Sequence, residues 1–228
     1  MRRLLAALVL AWGGGVFAEE VAVAPDGRCG SPSGVFAVEV RVADSAPLAG
    51  AAEQRALKLS GVLAPAAEWR TAAGVSVRLD LCLVSRPLGL RDVTLLAARV
   101  RLTNPTERPQ TTALAVALSP ERAVRALSFE RHAFFVEGAP VLVADAPSRG
   151  AILAESALAA RPLTPQDTAQ VTSTLGQCRG EMLFDVALAP GQTQTLGWLL
   201  PAGAEVDLEF CRTLVIDELF AQAKEAPK

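Results

Sequence analysis

A single histidine, His132 in "FERHAFFVEG", occurs in 228 residues. Nucleophilic catalysis by serine or cysteine needs a base, usually histidine, within hydrogen-bond reach. No G-x-S-x-G surrounds any serine, and neither a Walker A loop nor a G-x-G-x-x-G is present. A lone imidazole beside aromatics at a strand start reads as a structural or surface residue. Glycoside chemistry needs two carboxylates flanking a cleft. Glu130, Glu137, Asp145, Glu155, Glu181 and Asp185 are the candidates, and no spacing singles out a pair. No residue is therefore assigned as catalytic. No cofactor is expected, and no metal, because the cysteines lack C-x-x-C spacing and histidine partners.

Sugar binding without catalysis asks for exposed aromatics as stacking platforms together with polar side chains. That inventory is small: there is no tyrosine, Asn104 is the sole asparagine, and Trp69 and Trp198 follow the leader. Trp198 alternates in register with Leu196 and Leu200 and reads as core. Trp69, in "AAEWRTAAG", falls where a loop or strand end is expected and is the candidate ligand platform. "NPT" carries proline at its middle position, so it is not an N-glycosylation site.

The compartment is read from the first twenty residues. "MRRLLAALVLAWGGGVFAEE" places Arg2 and Arg3 before the apolar run Leu4–Trp12 and small residues ending at Ala18. That is the pattern of a secretory signal peptide over residues 1–18, with cleavage near Ala18–Glu19 and export to the periplasm or beyond. The apolar run is shorter than the roughly 20 residues a membrane span needs, and no span is expected in the mature chain. The remaining 210 residues carry 20 basic and 24 acidic side chains, which gives no reason to expect nucleic acid or an anionic surface as partner.

An even count of cysteines in an oxidising compartment favours disulfides. Cys29, Cys82, Cys178 and Cys211 allow three connectivities; Cys29–Cys82 with Cys178–Cys211 joins the segments nearer in sequence. Cys82 and Cys211 both fall on the polar faces of their expected strands, so they are expected to be oxidised with partners outside the main core.

Elements that could position these residues are mostly strands. "VFAVEVRV", "VSVRLDLCLV", "TLLAARVRL" and "TTALAVAL" alternate apolar and polar residues, with Val75, Val77, Leu79, Leu81 and Leu83 sharing one face of the second. "NPTERP" between two such runs reads as the rigid turn of a hairpin. Later strands are expected in "RALSF", "HAFFVEG", "PVLVA", "EMLFDVAL", "TQTLGWLL" and "EVDLEF". Turn formers separate them. The sum is an all-β chain, a large antiparallel β-sandwich of about eleven strands. Thr164, Pro165 and Gly176 bound an expected short helix in "LTPQDTAQVTSTLG". "AILAESALAARP" is open between strand and helix. The stripe Val215, Ile216, Leu219, Phe220 and Ala223 has helical period. Such a helix must dock, on its own sandwich in preference to a partner. The expected organisation is a sandwich over 19–212 and a helical tail over 213–228.

The order "DVTLLAARVRLTNPTERPQTTALAVALSP", "FFVEGAPVLVAD", "PQDTAQVTSTLG" and "GEMLFDVALAPGQTQTLGWLLP" resembles the N-terminal β-supersandwich of bacterial six-hairpin α/α-barrel glycoside hydrolases and phosphorylases, over roughly residues 75–210. The resemblance implies an accessory domain, because in those enzymes the catalytic carboxylates belong to the barrel, and no position here matches one. It also implies a barrel-type glycosidase or a polysaccharide as partner. The function expected is that of an exported, non-catalytic sandwich acting in assembly or in carbohydrate association. A stand-alone secreted glycoside hydrolase using an Asp/Glu pair is the alternative.

Overall fold

The computed structural model describes residues 20–42, 55–155, 164–203 and 205–225. The leader over 1–18 and its cleavage point lie outside these residues. Among the described residues, fifteen strands and two helices follow in order. They are β1 (Glu20–Val23), β2 (Cys29–Gly30), β3 (Phe36–Val42), β4 (Arg55–Lys58), β5 (Val62–Arg70), β6 (Ser76–Leu88), β7 (Arg91–Thr103) and β8 (Gln110–Pro120). Then come β9 (Ala126–Glu130), β10 (Ala133–Val136), β11 (Ala139–Ala144), β12 (Gly150–Glu155), β13 (Ala169–Thr172), β14 (Cys178–Leu188), β15 (Thr193–Pro201), α1 (Leu208–Thr213) and α2 (Ile216–Glu225).

They form two antiparallel sheets, one of seven strands in the order β12-β14-β8-β3-β2-β1-β4 and one of eight in the order β13-β9-β10-β11-β15-β7-β6-β5. The all-β sandwich expected from alternation is what forms. The inward residues of β3, β6, β7 and β8, among them Val40, Leu79, Val100 and Leu114, fill the core between the sheets, and Trp198 lies fully inside it.

A second apolar cluster lies on the outer face of the eight-stranded sheet. There Cys82, Val84, Leu95, Ala97 and Leu199 are covered by Cys211 of α1 and by Ile216, Leu219, Phe220 and Ala223 of α2. The tail helix docks on its own sandwich, with Val215 left in water just before it. Gly197, midway along β15, makes the close approach possible: a Cβ there would come within 2.5 Å of Ile216 Cδ1 and 2.7 Å of Asp145 Oδ2.

The strands on either side of "NPTERP" do not pair with each other. β7 belongs to the eight-stranded sheet and β8 to the seven-stranded one, so the segment is a corner between sheets rather than a hairpin turn. β14 and β15 make a second such crossing through "APGQ". Asn104, fully buried, ties the two corners together. Its Nδ2 donates to the carbonyls of Arg108 (2.8 Å), Leu188 (3.2 Å) and Ala189 (3.2 Å), while its Oδ1 accepts from Thr106 N (3.0 Å) and Oγ1 (2.7 Å). One amide thus serves five bonds, which is why a short rigid segment can turn the chain from one layer to the other.

Two local expectations are overturned. The helix expected within 164–176 is strand β13, paired through Ala169↔Phe129 to Thr172↔Ala126; β-branched Val171 and Thr172 suit the sheet margin, and pairing with β9 outweighs the cap signal. "EVDLEF" holds a helix start instead of a strand, since Asp207 Oδ1 accepts from Phe210 N at 2.6 Å and caps α1. "AILAESALAARP" resolves to strand β12 through Glu155; its remainder lies outside the described residues.

Candidate functional site

Trp69 stands near the end of β5, the margin of the eight-stranded sheet, opposite Val77 of β6. The indole is half-buried and packs against the main core, with Nε1 buried and unpaired among the described residues. It is therefore one wall of a groove rather than a fully exposed shelf. The groove, of about 600 Å³ and widely open, runs over Trp69, Arg70, Arg78, Arg101, Thr103 and Thr193. Thr103 and Thr193 share a hydroxyl hydrogen bond of 2.8 Å across β7 and β15. Arg78 faces Glu68 at 3.5 Å.

Asp80 organises the cations behind this groove. Its side chain is 0 % exposed and receives Arg78 Nε at 2.8 Å, Arg99 at 3.2 Å and Arg101 at 2.5 Å. Burial raises the Asp80 carboxyl, but the hydrogen bonds from Arg78, Arg101 and Arg99 together outweigh it and hold the group below its ordinary value. Arg99 also reaches Asp217 of α2 at 2.6 Å and stacks 4.3 Å from the centre of the Phe220 ring. The network thus fixes the orientation of Arg78 and Arg101 toward the groove and anchors α2 from the same carboxylate. Sequence spacing alone does not single out this cluster. Its signature was "R-x-D" at 78–80 beside "R-x-R" at 99–101, alternate residues on two strands whose register pairs Arg78 with Arg101 and Asp80 with Arg99.

The six carboxylates considered for hydrolysis are spread across both sheets. Glu130 ends β9 and Glu137 sits in the turn after β10. Asp145 Oδ1 accepts from Gly197 N at 2.8 Å, and Glu155 accepts from Ser173 Oγ at 2.9 Å. Glu181 holds Arg41 at 2.9 Å and Asp185 faces Arg149 at 3.5 Å, both on the outer face of the seven-stranded sheet. No two of the six line the Trp69 groove or the smaller cleft at His132 together. His132 Nδ1 lies 3.0 Å from Ser148 Oγ and accepts from Ser148 N at 3.1 Å. Among the described residues, no three His, Cys, Asp or Glu side chains gather as a metal site would require.

The four cysteines are free and buried, which corrects the disulfide pairs expected from their even number. The reason is placement. Cys29 and Cys178 point into the core between the sheets, whereas Cys82 and Cys211 lie on the far side of the eight-stranded sheet, beneath the helices. Cys29–Cys82 and Cys178–Cys211 would each have to cross that sheet. The outer face of β6 is polar at Ser76 and Arg78, then becomes buried at Cys82 because α2 lands there. Burial pushes the thiols of Cys29, Cys82 and Cys211 up to about 12, so they are poor nucleophiles at neutral pH.

No family model and no curated protein matches the chain. Among solved structures, a protein from the human microbiome provisionally named a kojibiose phosphorylase aligns with 91% of this chain and 29% of its own length. The identity is 7% and the TM-score 0.29. The chain spans less than a third of that protein, and a likeness at this score assigns no residue a role.

Proposed function

We propose that this chain is an exported, non-catalytic β-sandwich module that associates with carbohydrate at the Trp69 groove and works beside a partner, a barrel-type glycosidase or the polysaccharide itself. The observation that carries the reading is the composition of that groove. An aromatic wall, guanidinium donors held by Asp80, and the hydroxyls of Thr103 and Thr193 line one open surface. Sugar rings present apolar faces to aromatics and hydroxyls to charged donors, and an open groove admits a chain rather than a single residue. The wide mouth and the wall-like Trp69 favour side-on contact with a polymer.

Gel retardation in polyacrylamide containing soluble α- or β-glucan tests this. The native chain should be slowed by at least one glucan, and Trp69→Ala should restore free mobility. Equal mobility of both proteins across the glucan panel would reject the carbohydrate reading.

A further inference from the structure

A second cleft, independent of the Trp69 groove, opens where β10 and β11 meet α1. It has about 290 Å³ of space, with Val143, Leu199, Leu214 and Ile216 as apolar walls and Arg131, His132 and Arg212 among its polar lining. Three features point to a ligand.

The turn carrying Arg131 and His132 is locally uneconomical. It is a two-residue link between β9 and β10, and both residues have positive φ, 49° and 59°. Hairpin turns with positive φ at both central positions are ordinarily built from Asn-Gly or Asp-Gly. An Arg-His pair there is held against its own conformational preference, and strain of this kind concentrates at binding sites.

The imidazole is also pre-oriented. Ser148 N donates to Nδ1 at 3.1 Å, which places the ring proton on Nε2 as a donor. In addition, Arg212 Nη2 donates to the Arg131 carbonyl at 3.1 Å, so the two guanidinium-bearing segments are fixed together. Arg131 itself makes no ion pair among the described residues, and Arg212 has an exposed one with Glu209 at 3.3 Å. One carboxylate, Asp145, lines the cleft itself, with Oδ1 accepting from Gly197 N, so the head group is placed on the Arg131, His132 and Arg212 side of the wall; Asp217, outside the lining, is paired with Arg99.

We propose that this cleft binds a small organic anion, its carboxylate or phosphate head on Arg131, Arg212 and the His132 Nε2–H, and its apolar body on Val143, Leu199 and Leu214. Planar guanidinium groups suit either head group, and the pocket is at the small end of ligand sites.

Because the chain has one histidine, a long-range 1H–15N spectrum of the full chain reports this cleft through a single imidazole. Titration with phenyl phosphate, benzoate and inorganic phosphate should give a saturable shift of the His132 Nε2 signal with at least one of the two aromatic anions. Half-saturation is expected below about 1 mM. The tighter of those two identifies the head group, and weaker binding of inorganic phosphate shows the apolar walls at work.

Arg131→Asn keeps a residue suited to positive φ. It should leave the melting temperature equal or higher while weakening binding by about tenfold or more. No saturable shift with any of the three probes would overturn the proposal. So would inorganic phosphate binding as tightly as both aromatic anions, or native affinity in Arg131→Asn.

Discussion

Truncating Phe220 measures how firmly α2 belongs to the sandwich. The side chain is 1% exposed, lies in the outer cluster with Cys82, Ala97 and Leu219, and has the Arg99 guanidinium 4.3 Å from its ring centre. Replacing a buried Phe by Ala costs about 3–5 kcal/mol through lost transfer energy and the cavity left behind. The lost cation–π contact adds about 0.5–1 kcal/mol for a partly shielded pair, so a value of about 5 kcal/mol is expected for Phe220→Ala. In a chain of this size that is a fall of about 10–20 °C in melting temperature. Urea denaturation followed by circular dichroism gives the free energy directly, provided the slope matches the native protein. Val215→Ala, at 54% exposure and just outside the helix, should stay within about 0.5 kcal/mol. A Phe220→Ala loss below about 1 kcal/mol would refute docking of α2 on its own sheet.

Asn104→Ala should destabilise by about 2–4 kcal/mol in the same assay, because five hydrogen bonds at the paired corners lose their shared amide. Asp80→Asn should lower stability at pH 7, since Arg78, Arg99 and Arg101 lose their common anion. The folded Asp80 carboxyl is held below its unfolded value of about 3.9, so its contribution is present above that pH and lost as pH falls through the folded value. The gap between native and Asp80→Asn proteins should therefore narrow in urea melts below about pH 4 and stay constant above pH 5. For the cysteines, mass spectrometry after iodoacetamide treatment without reductant should show no label on the folded chain and four labels in guanidinium. Fewer than four labels after unfolding would restore a disulfide.

Much of the sandwich is written in residue alternation, because each strand has one face in a common core. Val75 to Leu83 and Leu96 to Leu102 sit on the inner faces that their spacing assigns. The helical stripe from Ile216 to Ala223 was legible for the same reason, at a different period. What alternation cannot carry is which sheet receives a strand. β7 and β8 have equally clean patterns, yet they lie in different layers, and the deciding contacts are Asn104 to Leu188 and Ala189, over eighty residues away. Asp80 and Cys82 were hidden by a related effect: they occupy a polar face by spacing, and it is three arginines of β6 and β7 that enclose Asp80 and the return of α2 that buries Cys82. The cap signal at Thr164 failed because a sheet margin competing for residues 169–172 stabilises them as a strand. Trp69 was found by its type alone. Its groove needed Arg101 and Thr193 from strands distant in sequence.

The most direct test of the proposed carbohydrate association is tryptophan emission during titration with glucan oligosaccharides. Trp198 is fully buried in the core, so a saturable change in emission that vanishes in Trp69→Phe would report sugar at the groove, and reducing ends should not accumulate in the same samples. Emission that stays flat with every oligosaccharide, or a change that survives in Trp69→Phe, would contradict the account.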